Sequence, residues 1–326
     1  MKKNKKILIT GATGFIGSYI TELFVKKGFK VKAFDKYNSN YQLNCLEKSF
    51  YKKDIEFIFG DIRDYDSVNK AAKGQDIIIH LAALIGIPYS YSSPIAYLKT
   101  NVEGTYNILE CAKTHNINEI LVTSTSETYG TAQYVPMDEK HPLVAQSPYA
   151  ASKISADQLA LSYYNSFNLP IKIVRPFNNF GPRQSPRAVI PTIINQAINS
   201  KFIKLGNIKP KRDYVYVEDT AEAFYQILLK KKFFGKVVNV GSGQEHSIKS
   251  IVQLIQKILG TNKKIFTDKN RIRHKSSEVD RLKCNNNFLK KNTNWKTSDS
   301  FNNHLKKTIN WFKKNNNKSI SDIYNI

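Results

Sequence analysis

The chain has 326 residues, of which 41% are hydrophobic, and its 50 Lys+Arg against 26 Asp+Glu give a formal net charge of +24. This length and apolar content are typical of one large or two medium folded domains, and they exclude a chain that is disordered throughout. The longest apolar run, at 77–87, has 11 residues, which is too few for a helix that crosses a membrane.

The cysteines and the first residues bear on location. Cys45, Cys111 and Cys284 are odd in number and widely spaced, which fits neither a disulfide framework nor a zinc site. The apolar run after the lysine-rich segment at 2–6 is too short for the hydrophobic part of a signal peptide. We therefore expect a reduced, cytoplasmic location, no membrane association and no bound metal.

Half of the positive excess lies in the last fifth of the chain. Residues 257–326 carry 17 Lys+Arg and 5 Asp+Glu, a net charge of +12. Such a surface suits nucleic acid or the phosphates of a small anionic substrate. No recognition helix and no aromatic-and-arginine repeat accompanies the charge, and lysine and asparagine are frequent throughout the chain. We therefore expect no nucleic-acid partner.

Short apolar runs and helical patterns alternate along the first half of the chain. In chain order they predict strand 6–10, helix 18–27, strand 31–35, strand 56–59, helix 67–72, strand 76–80, helix 101–115 and strand 119–123. This β-α-β order predicts an α/β fold with a Rossmann-type, doubly wound parallel sheet in a domain at 1–175. From Pro176 onward, proline-rich stretches and the basic tail indicate a smaller, mixed α/β region at 176–326, some segments of which return to the sheet.

The first strand runs straight into a glycine-rich turn. Gly11, Gly14 and Gly17 have the spacing G-x-x-G-x-x-G where the first helix opens. Residues without a Cβ let the backbone approach a pyrophosphate, and the helix N-terminus supplies free N–H groups and a positive dipole end. Asp35, at the end of the second strand, suits the ribose hydroxyls of adenosine and repels a 2′-phosphate. The domain at 1–175 is therefore expected to bind NAD rather than NADP.

Further cofactor contacts are expected at the carboxyl ends of the other strands. Asp61 and Ile62 would flank the adenine, although Asp61 could equally be a helix cap. The expected cofactor-binding residues are Gly11, Thr13, Gly14, Phe15, Ile16, Gly17, Asp35, Asp61, Ile62, Leu81, Ala82, Ala83, Tyr149 and Lys153.

Tyr149 and Lys153 place a phenol and an ammonium at i and i+4, on one face of a helix. A tyrosine with a pKa of about 10 is a poor base, and a neighbouring lysine together with a positive nicotinamide ring would lower that pKa. After a dinucleotide turn, this Y-x-x-x-K pattern resembles the short-chain dehydrogenase/reductase superfamily, in the extended form that acts on nucleotide sugars. The resemblance implies that both residues are catalytic.

The polar stretch after strand 119–123 narrows the activity. Its hydroxyls, on Ser124, Thr125 and Ser126, can bond the sugar 4-hydroxyl, and Glu127 adds a carboxylate able to remove a proton from carbon. Epimerases of the superfamily need only a hydroxyl with the Tyr-Lys pair, whereas a 4,6-dehydratase also needs this acid/base. Ser-Thr-Ser-Glu is similar to the stretch in GDP-mannose 4,6-dehydratases, while dTDP-glucose dehydratases carry Asp-Glu at the last two positions. Whether Glu127 or Ser126 protonates the departing O6 stays open.

Longer segments carry a closer resemblance, at 85–91, 129–136, 146–149, 181–185 and 321–325. They resemble the N-acetylglucosamine 4,6-dehydratases of legionaminic acid biosynthesis, which act on a UDP- or GDP-linked sugar. Gly86 and His274 depart from that group, which usually has Ala and Pro there. The resemblance implies C4 oxidation, loss of water across C5 and C6, and hydride return to C6, giving a 4-keto-6-deoxy sugar nucleotide. It also implies a homodimer.

A nucleotide sugar carries two phosphates, so arginines are expected in the region at 176–326. The resemblance places Arg212 and Arg273 at the diphosphate, and Asn178 near the sugar and phosphates. Arg183 and Arg187 are further expected substrate contacts, although either could be a surface arginine.

Two other interpretations stay open. A UDP-sugar 4-epimerase would use Tyr149 and Lys153, with Glu127 as a structural carboxylate. A non-catalytic binding protein would keep the dinucleotide fold and use its basic tail for an anionic polymer. His80 lies within an apolar run, and we expect it to be a packed core residue rather than a catalyst.

Overall fold

A computed structural model describes residues 4–315, so the segment 321–325 lies outside the described residues. The strands are β1 (Lys6–Thr10), β2 (Lys30–Lys36), β3 (Ile55–Gly60), β4 (Ile77–His80), β5 (Glu119–Thr123), β6 (Ile171–Pro176), β7 (Asn178–Phe180), β8 (Ile203–Leu205), β9 (Lys211–Tyr216), β10 (Val237–Val240), β11 (Glu245–Ser247) and β12 (Ile265–Thr267). The α-helices are α1 (Phe15–Lys26), α2 (Tyr65–Ala72), α3 (Ile87–Ser92), α4 (Pro94–Tyr97), α5 (Gly104–Thr114), α6 (Pro148–Phe167), α7 (Val189–Asn199), α8 (Val217–Leu228), α9 (Ile248–Leu259), α10 (Asn287–Asn292) and α11 (Phe301–Lys314).

Seven parallel strands form the main sheet, in the order β10-β6-β5-β4-β1-β2-β3. The central strand β4 reads Ile-Ile-Ile-His and is buried along its length, as a strand covered by helices on both faces must be. The strand order reverses between β1 and β4, which pair through Ile7 and Ile77. Doubly wound sheets bind ligands in the crevice at this reversal, at the carboxyl ends of the strands. The predicted Rossmann-type sheet is confirmed.

Helices bury both faces of the main sheet. On one face, Phe24 of α1 and Phe224 of α8 belong to the same fully buried apolar cluster as Ile9 of β1. On the other face, α2, α5 and α6 pack in a second cluster against β4 and β5. Because β10 pairs with β6 and α8 packs on this sheet, the main layer draws on both sides of residue 175.

The second region has its own small sheets and core. The strands β11-β9-β7 form one sheet and β12-β8 another. Isoleucines of α7 and α9, with Ile309 of α11, pack beneath them in a third apolar cluster. The parallel pairing of β7 with β9 places Asn178 opposite Tyr214. Within the range 4–315, no helix is long and apolar enough to cross a membrane.

All three predicted helix starts differ from the observed ones, that of α2 by two residues, since it begins at Tyr65. The helix α1 begins at Phe15 rather than at 18, because Gly14 already ends the turn. The predicted helix 101–115 is preceded by a π-helical turn over Leu98–Glu103, and the regular helix begins at Gly104. A Cβ at Gly104 would lie 2.9 Å from Ile62 Cγ2, so close packing explains the glycine there.

Candidate active site

The glycine turn has no room for side chains, because other backbone atoms lie close to it. Gly11 has a φ of +68°, and a Cβ there would lie 2.8 Å from the backbone nitrogen of Ala82. A Cβ on Gly17 would overlap the carbonyl oxygen of Gly11. Gly14 precedes α1 without a side-chain cap, so the first N–H groups of the helix, at Phe15 and Ile16, remain for an anion. These features fit a bound pyrophosphate.

Asp35 lies beside this turn at the end of β2. Its Oδ2 accepts hydrogen bonds from the backbone N–H of Thr13 at 2.8 Å and from the Thr13 hydroxyl at 2.6 Å. Its Oδ1 accepts one from the N–H of Lys36 at 2.7 Å. The carboxylate is only half-buried, and Oδ1 keeps a lone pair, so Asp35 remains able to accept from a ribose hydroxyl.

The residues expected near the adenine divide into two kinds. Asp61 forms an ion pair with Arg63, whose Nε donates a hydrogen bond to Oδ1 of Asp61 at 2.9 Å. The Asp61 side chain is partly exposed. The alternative that Asp61 caps a helix is wrong, since Asp64 caps α2. Ile62 has its side chain buried in the core, so it can offer a ligand little more than its backbone. The backbone of Leu81 and Ala82 lies against Gly11, and Ala83 continues this half-buried edge.

Tyr149 lies in the first turn of α6, which Ser147 caps. Its ring is 7% exposed and packs edge-on against Tyr97, with centroids 6.1 Å apart. Burial raises the pKa of Tyr149, a hydrogen bond from the Thr125 side chain opposes that rise, and the nearby charge of Glu127 adds to it. The lowered pKa that the sequence predicts therefore does not arise from the groups of this chain alone.

Lys153 lies one helical turn beyond Tyr149 and is 4% exposed. Its ammonium donates a hydrogen bond to the carbonyl oxygen of Thr123 at 2.5 Å. Burial lowers the pKa of Lys153, and the charge of Asp157 opposes that effect. The ammonium is thus fixed at the end of β5, next to the segment that carries Thr125.

Glu127 lies in a single 3₁₀ turn, Ser126–Tyr129, that Thr125 caps by accepting from the Glu127 N–H at 3.3 Å. The side chain of Glu127 is 9% exposed, and Ser126 beside it is buried. The charge of Glu127 acts on Tyr149 of the main domain and on Tyr214 of the second region. The turn therefore brings this carboxylate to the point where the two regions meet.

Ser124 is placed differently from the prediction. Its hydroxyl is buried, donates to Asp157 at 2.5 Å and accepts from Nε of Arg175 at 3.2 Å. These bonds occupy the hydroxyl inside the protein, so Ser124 is a structural residue and not a substrate contact.

Two arginines of the second region converge on one carboxylate. Arg212 Nη2 lies 3.5 Å from Glu278 Oε1, and Arg273 Nη1 lies 3.8 Å from the same oxygen. Both guanidiniums also act on the buried phenol of Tyr214. Asn178, opposite Tyr214, has a buried Oδ1 without a hydrogen-bond partner in the described part of the chain. This cluster holds two cations near the phenol of Tyr214, on which the charge of Glu127 also acts, and two cations suit a diphosphate.

The other two candidate arginines behave differently from each other. Arg183 donates to Glu22 of α1 at 2.9 Å and stacks over Tyr19, so it ties its loop to α1. That bidentate pairing gives Arg183 a structural role, and its expected contact with the substrate stays a prediction. Arg187 is exposed, and its charge acts on the hydroxyl of Tyr97, which packs on Tyr149.

His80 ends β4 with both ring nitrogens occupied. Nδ1 lies 2.8 Å from the Thr10 hydroxyl and Nε2 lies 3.2 Å from the Thr105 hydroxyl. Complete burial lowers the pKa of His80 to about 3. It is a neutral core residue, as predicted. Across residues 4–315, no group of three His, Cys, Asp or Glu side chains is placed to hold a metal ion.

Sequence reasoning missed four residues of the site: Tyr97, Asp157, Tyr214 and Glu278. Asp157 carried a usable signal, because it follows Lys153 by four residues on the same helix. Tyr97, Tyr214 and Glu278 are distant in sequence from the groups they approach, and only the fold brings them together.

A parallel sheet with a glycine turn after its first strand and a buried Tyr-Lys pair on a flanking helix is typical of an NAD-dependent short-chain dehydrogenase/reductase. The family model described as GDP-mannose 4,6 dehydratase matches residues 8–308. The chain therefore belongs to this family of NAD-dependent nucleotide-sugar epimerases and dehydratases.

Individual relatives and solved structures agree with that assignment. The chain is 34% identical to the dTDP-D-glucose 4,6-dehydratase of Dictyostelium discoideum over 259 residues, which are 74% of this chain and 59% of that protein. It aligns with the dTDP-glucose 4,6-dehydratase DesIV of Streptomyces venezuelae at a TM-score of 0.86 and 26% identity, covering 95% and 97% of the two chains. The UDP-glucuronic acid 4-epimerase of Bacillus cereus aligns at a TM-score of 0.87 and 26% identity, covering 95% and 99%. Both structures were solved with NAD bound.

Proposed function

We propose that this protein is a nucleotide-sugar 4,6-dehydratase that acts on UDP- or GDP-linked N-acetylglucosamine. The observation that carries the proposal is the place of Glu127, a largely buried second acid/base whose charge contributes to the raised pKa of Tyr149. Oxidation at C4 needs the tyrosine, the lysine and a hydroxyl. Elimination of water needs in addition a group that takes the C5 proton, and Glu127 supplies one at the same site.

Each residue of the site has a separate role in the proposed reaction. Tyr149, hydrogen-bonded to Thr125, takes the O4 proton, and Lys153 stabilises the phenolate. NAD, when bound, supplies an acceptor for the C4 hydride and a donor that returns it to C6. Glu127 takes the C5 proton, which the 4-ketone acidifies, and the C6 hydroxyl leaves as water with a proton from Glu127 or Ser126. A proton then returns to C5, so one water is lost without net redox change.

The second region supports a nucleoside diphosphate as the carrier of the sugar. Arg212 is 6% exposed and Arg273 lies beside it, so both are positioned by the fold before a ligand binds. Charge-assisted bonds from two preformed guanidiniums suit a pyrophosphate. The likeness of 85–91 and 181–185 to legionaminic-pathway dehydratases supports N-acetylglucosamine as the sugar.

The experiment is an incubation of the purified protein with UDP-N-acetylglucosamine and, separately, GDP-N-acetylglucosamine, followed by mass spectrometry. We expect one of them to lose the mass of one water and to gain a 4-keto group that hydrazine reagents trap. A 4-epimerase is the second candidate, because epimerase structures align with the chain as well as dehydratases do. An epimerase would leave the mass unchanged and invert C4.

We also infer a cytoplasmic homodimer. Exposed apolar side chains, Leu98 and Tyr106, lie on the π-helical turn and α5, which pack beside α6. A second copy would cover them. Light scattering after gel filtration should give twice the chain mass, and a monomer mass would contradict this inference.

A further inference from the structure

Asp157, Ser124 and Arg175 form a buried hydrogen-bonded network near Lys153. Asp157 is one helical turn beyond it on α6 and has no exposed surface. The Oδ2 of Asp157 accepts hydrogen bonds from the Ser124 hydroxyl at 2.5 Å and from Nη2 of Arg175 at 2.7 Å. These bonds join α6, the end of β5 and β6 inside the protein.

Ser124 connects this network to the catalytic groups. The residue before it, Thr123, accepts the hydrogen bond of the Lys153 ammonium. The residue after it, Thr125, provides the hydroxyl bonded to Tyr149. Anchoring Ser124 to Asp157 therefore sets the distance between the end of β5 and the catalytic face of α6.

The second carboxylate oxygen of Asp157 takes no part in this network. Its Oδ1 is buried and has no hydrogen-bond partner among the residues at 4–315. A buried carboxylate oxygen without a partner is costly, and it persists where its charge serves a neighbour. Lys153 is such a neighbour, since it lies at i−4 on the same helix and its charged form is opposed by burial.

Other titratable groups do not replace Asp157 in this role. His80 on β4 and Tyr149 on α6 are neutral at physiological pH. Arg175 on β6 is a cation already paired with Asp157. The charge of Glu127 acts on Tyr149. Asp157 is thus the anion whose charge stabilises the Lys153 ammonium.

We propose that Asp157 is a positioning residue, which keeps the buried Lys153 ammonium charged and holds the segment Thr123–Thr125 against Tyr149. The proposal rests on the proposed function only through proton transfer at O4, a step that dehydratases and epimerases share. It concerns no contact between Asp157 and the substrate.

The direct test is the titration of Lys153 in the full chain without substrate. The lysine ¹³Cε resonances are followed against pH, and that of Lys153 is assigned by its loss in Lys153→Met. We expect Asp157→Asn to lower the midpoint by about 1 pH unit or more, because an adjacent opposite charge is removed. The matched variant Ser124→Ala removes a hydrogen bond and no charge, so its midpoint should move by much less than that of Asp157→Asn. An unchanged midpoint in Asp157→Asn would overturn the proposal.

A second variant covers loss of folding. Asp157→Asn leaves Arg175 buried without a counter-charge, whereas Asp157→Asn/Arg175→Met removes both charges. The midpoint of Lys153 should still fall in the double variant, since Asp157 is the group whose charge acts on Lys153.

The pH profile of activity is a second measurement. The high-pH limb of the C4 oxidation rate should move to lower pH together with the midpoint of Lys153. A wild-type protein that oxidises no nucleotide sugar would refute the proposed function, and the titration would still decide the role of Asp157.

Discussion

The carboxylate of Glu278 lies 3.5 Å from the guanidinium of Arg212, although the two residues are 66 positions apart in the sequence. Arg273 Nη1 lies 3.8 Å from the same oxygen. The pair is largely buried, so the fold holds both arginines in place without a ligand. An anion that enters this cluster finds its cations already oriented and competes with Glu278 for them.

Arg212→Met should weaken nucleotide-sugar binding. A hydrogen bond to a charged group contributes about 1.5–3 kcal/mol, so KM should rise roughly 10- to 100-fold while kcat changes less. Steady-state kinetics with the active nucleotide sugar checks this. Arg281→Gln is the matched control, because Arg281 is paired with Glu245 instead. Equal KM values in the two variants would show that Arg212 does not bind the diphosphate.

Gly17→Ala should disrupt the dinucleotide turn. Its Cβ would overlap the Gly11 carbonyl oxygen, so the turn must move away from the start of α1. At Gly14 the nearest atom to an added Cβ is 3.2 Å away, and Gly14→Ala should be milder. We expect NAD affinity, measured by calorimetry, to fall at least about tenfold more in Gly17→Ala than in Gly14→Ala. Equal affinities would place the pyrophosphate elsewhere.

His80→Gln should change how stability depends on pH. The folded protein holds His80 neutral with a pKa of about 3, whereas the unfolded chain protonates it near its usual value of 6.5. The unfolded state therefore binds the extra proton, and stability falls as the pH drops from about 6.5 toward 3. Denaturant unfolding between pH 4 and pH 7.5 should show a slope about one proton smaller in the variant. Identical slopes would mean that His80 is charged in the folded protein.

Much of the fold and part of the site follow from local sequence. The glycine spacing after β1 and the pair Tyr149 and Lys153 on α6 are short-range patterns, and the structure places them as the patterns indicate. Hydroxyls and arginines were harder to assign, because their partners lie far along the chain. Ser124 turned out to bond Asp157 and Arg175, and Arg183 to bond Glu22, and no spacing rule connects those residues.

Glu127 is the residue on which the elimination chemistry depends. Glu127→Gln keeps the size of the side chain and removes its basicity, so water loss should fall by about 10²–10⁴-fold. Oxidation at C4 should remain detectable, because Tyr149 and Lys153 are intact. A trapped 4-ketone that retains the C6 hydroxyl would be the expected product, identified by mass spectrometry.

The most direct measurement is turnover in D₂O with NMR analysis of the product. If Glu127 exchanges the C5 proton during elimination, one deuterium should appear at C5, while C6 should receive the hydrogen that left C4. The Glu127→Gln variant should form none of this product. A product with unchanged mass, inverted at C4 and free of deuterium at C5, would contradict the account and identify an epimerase.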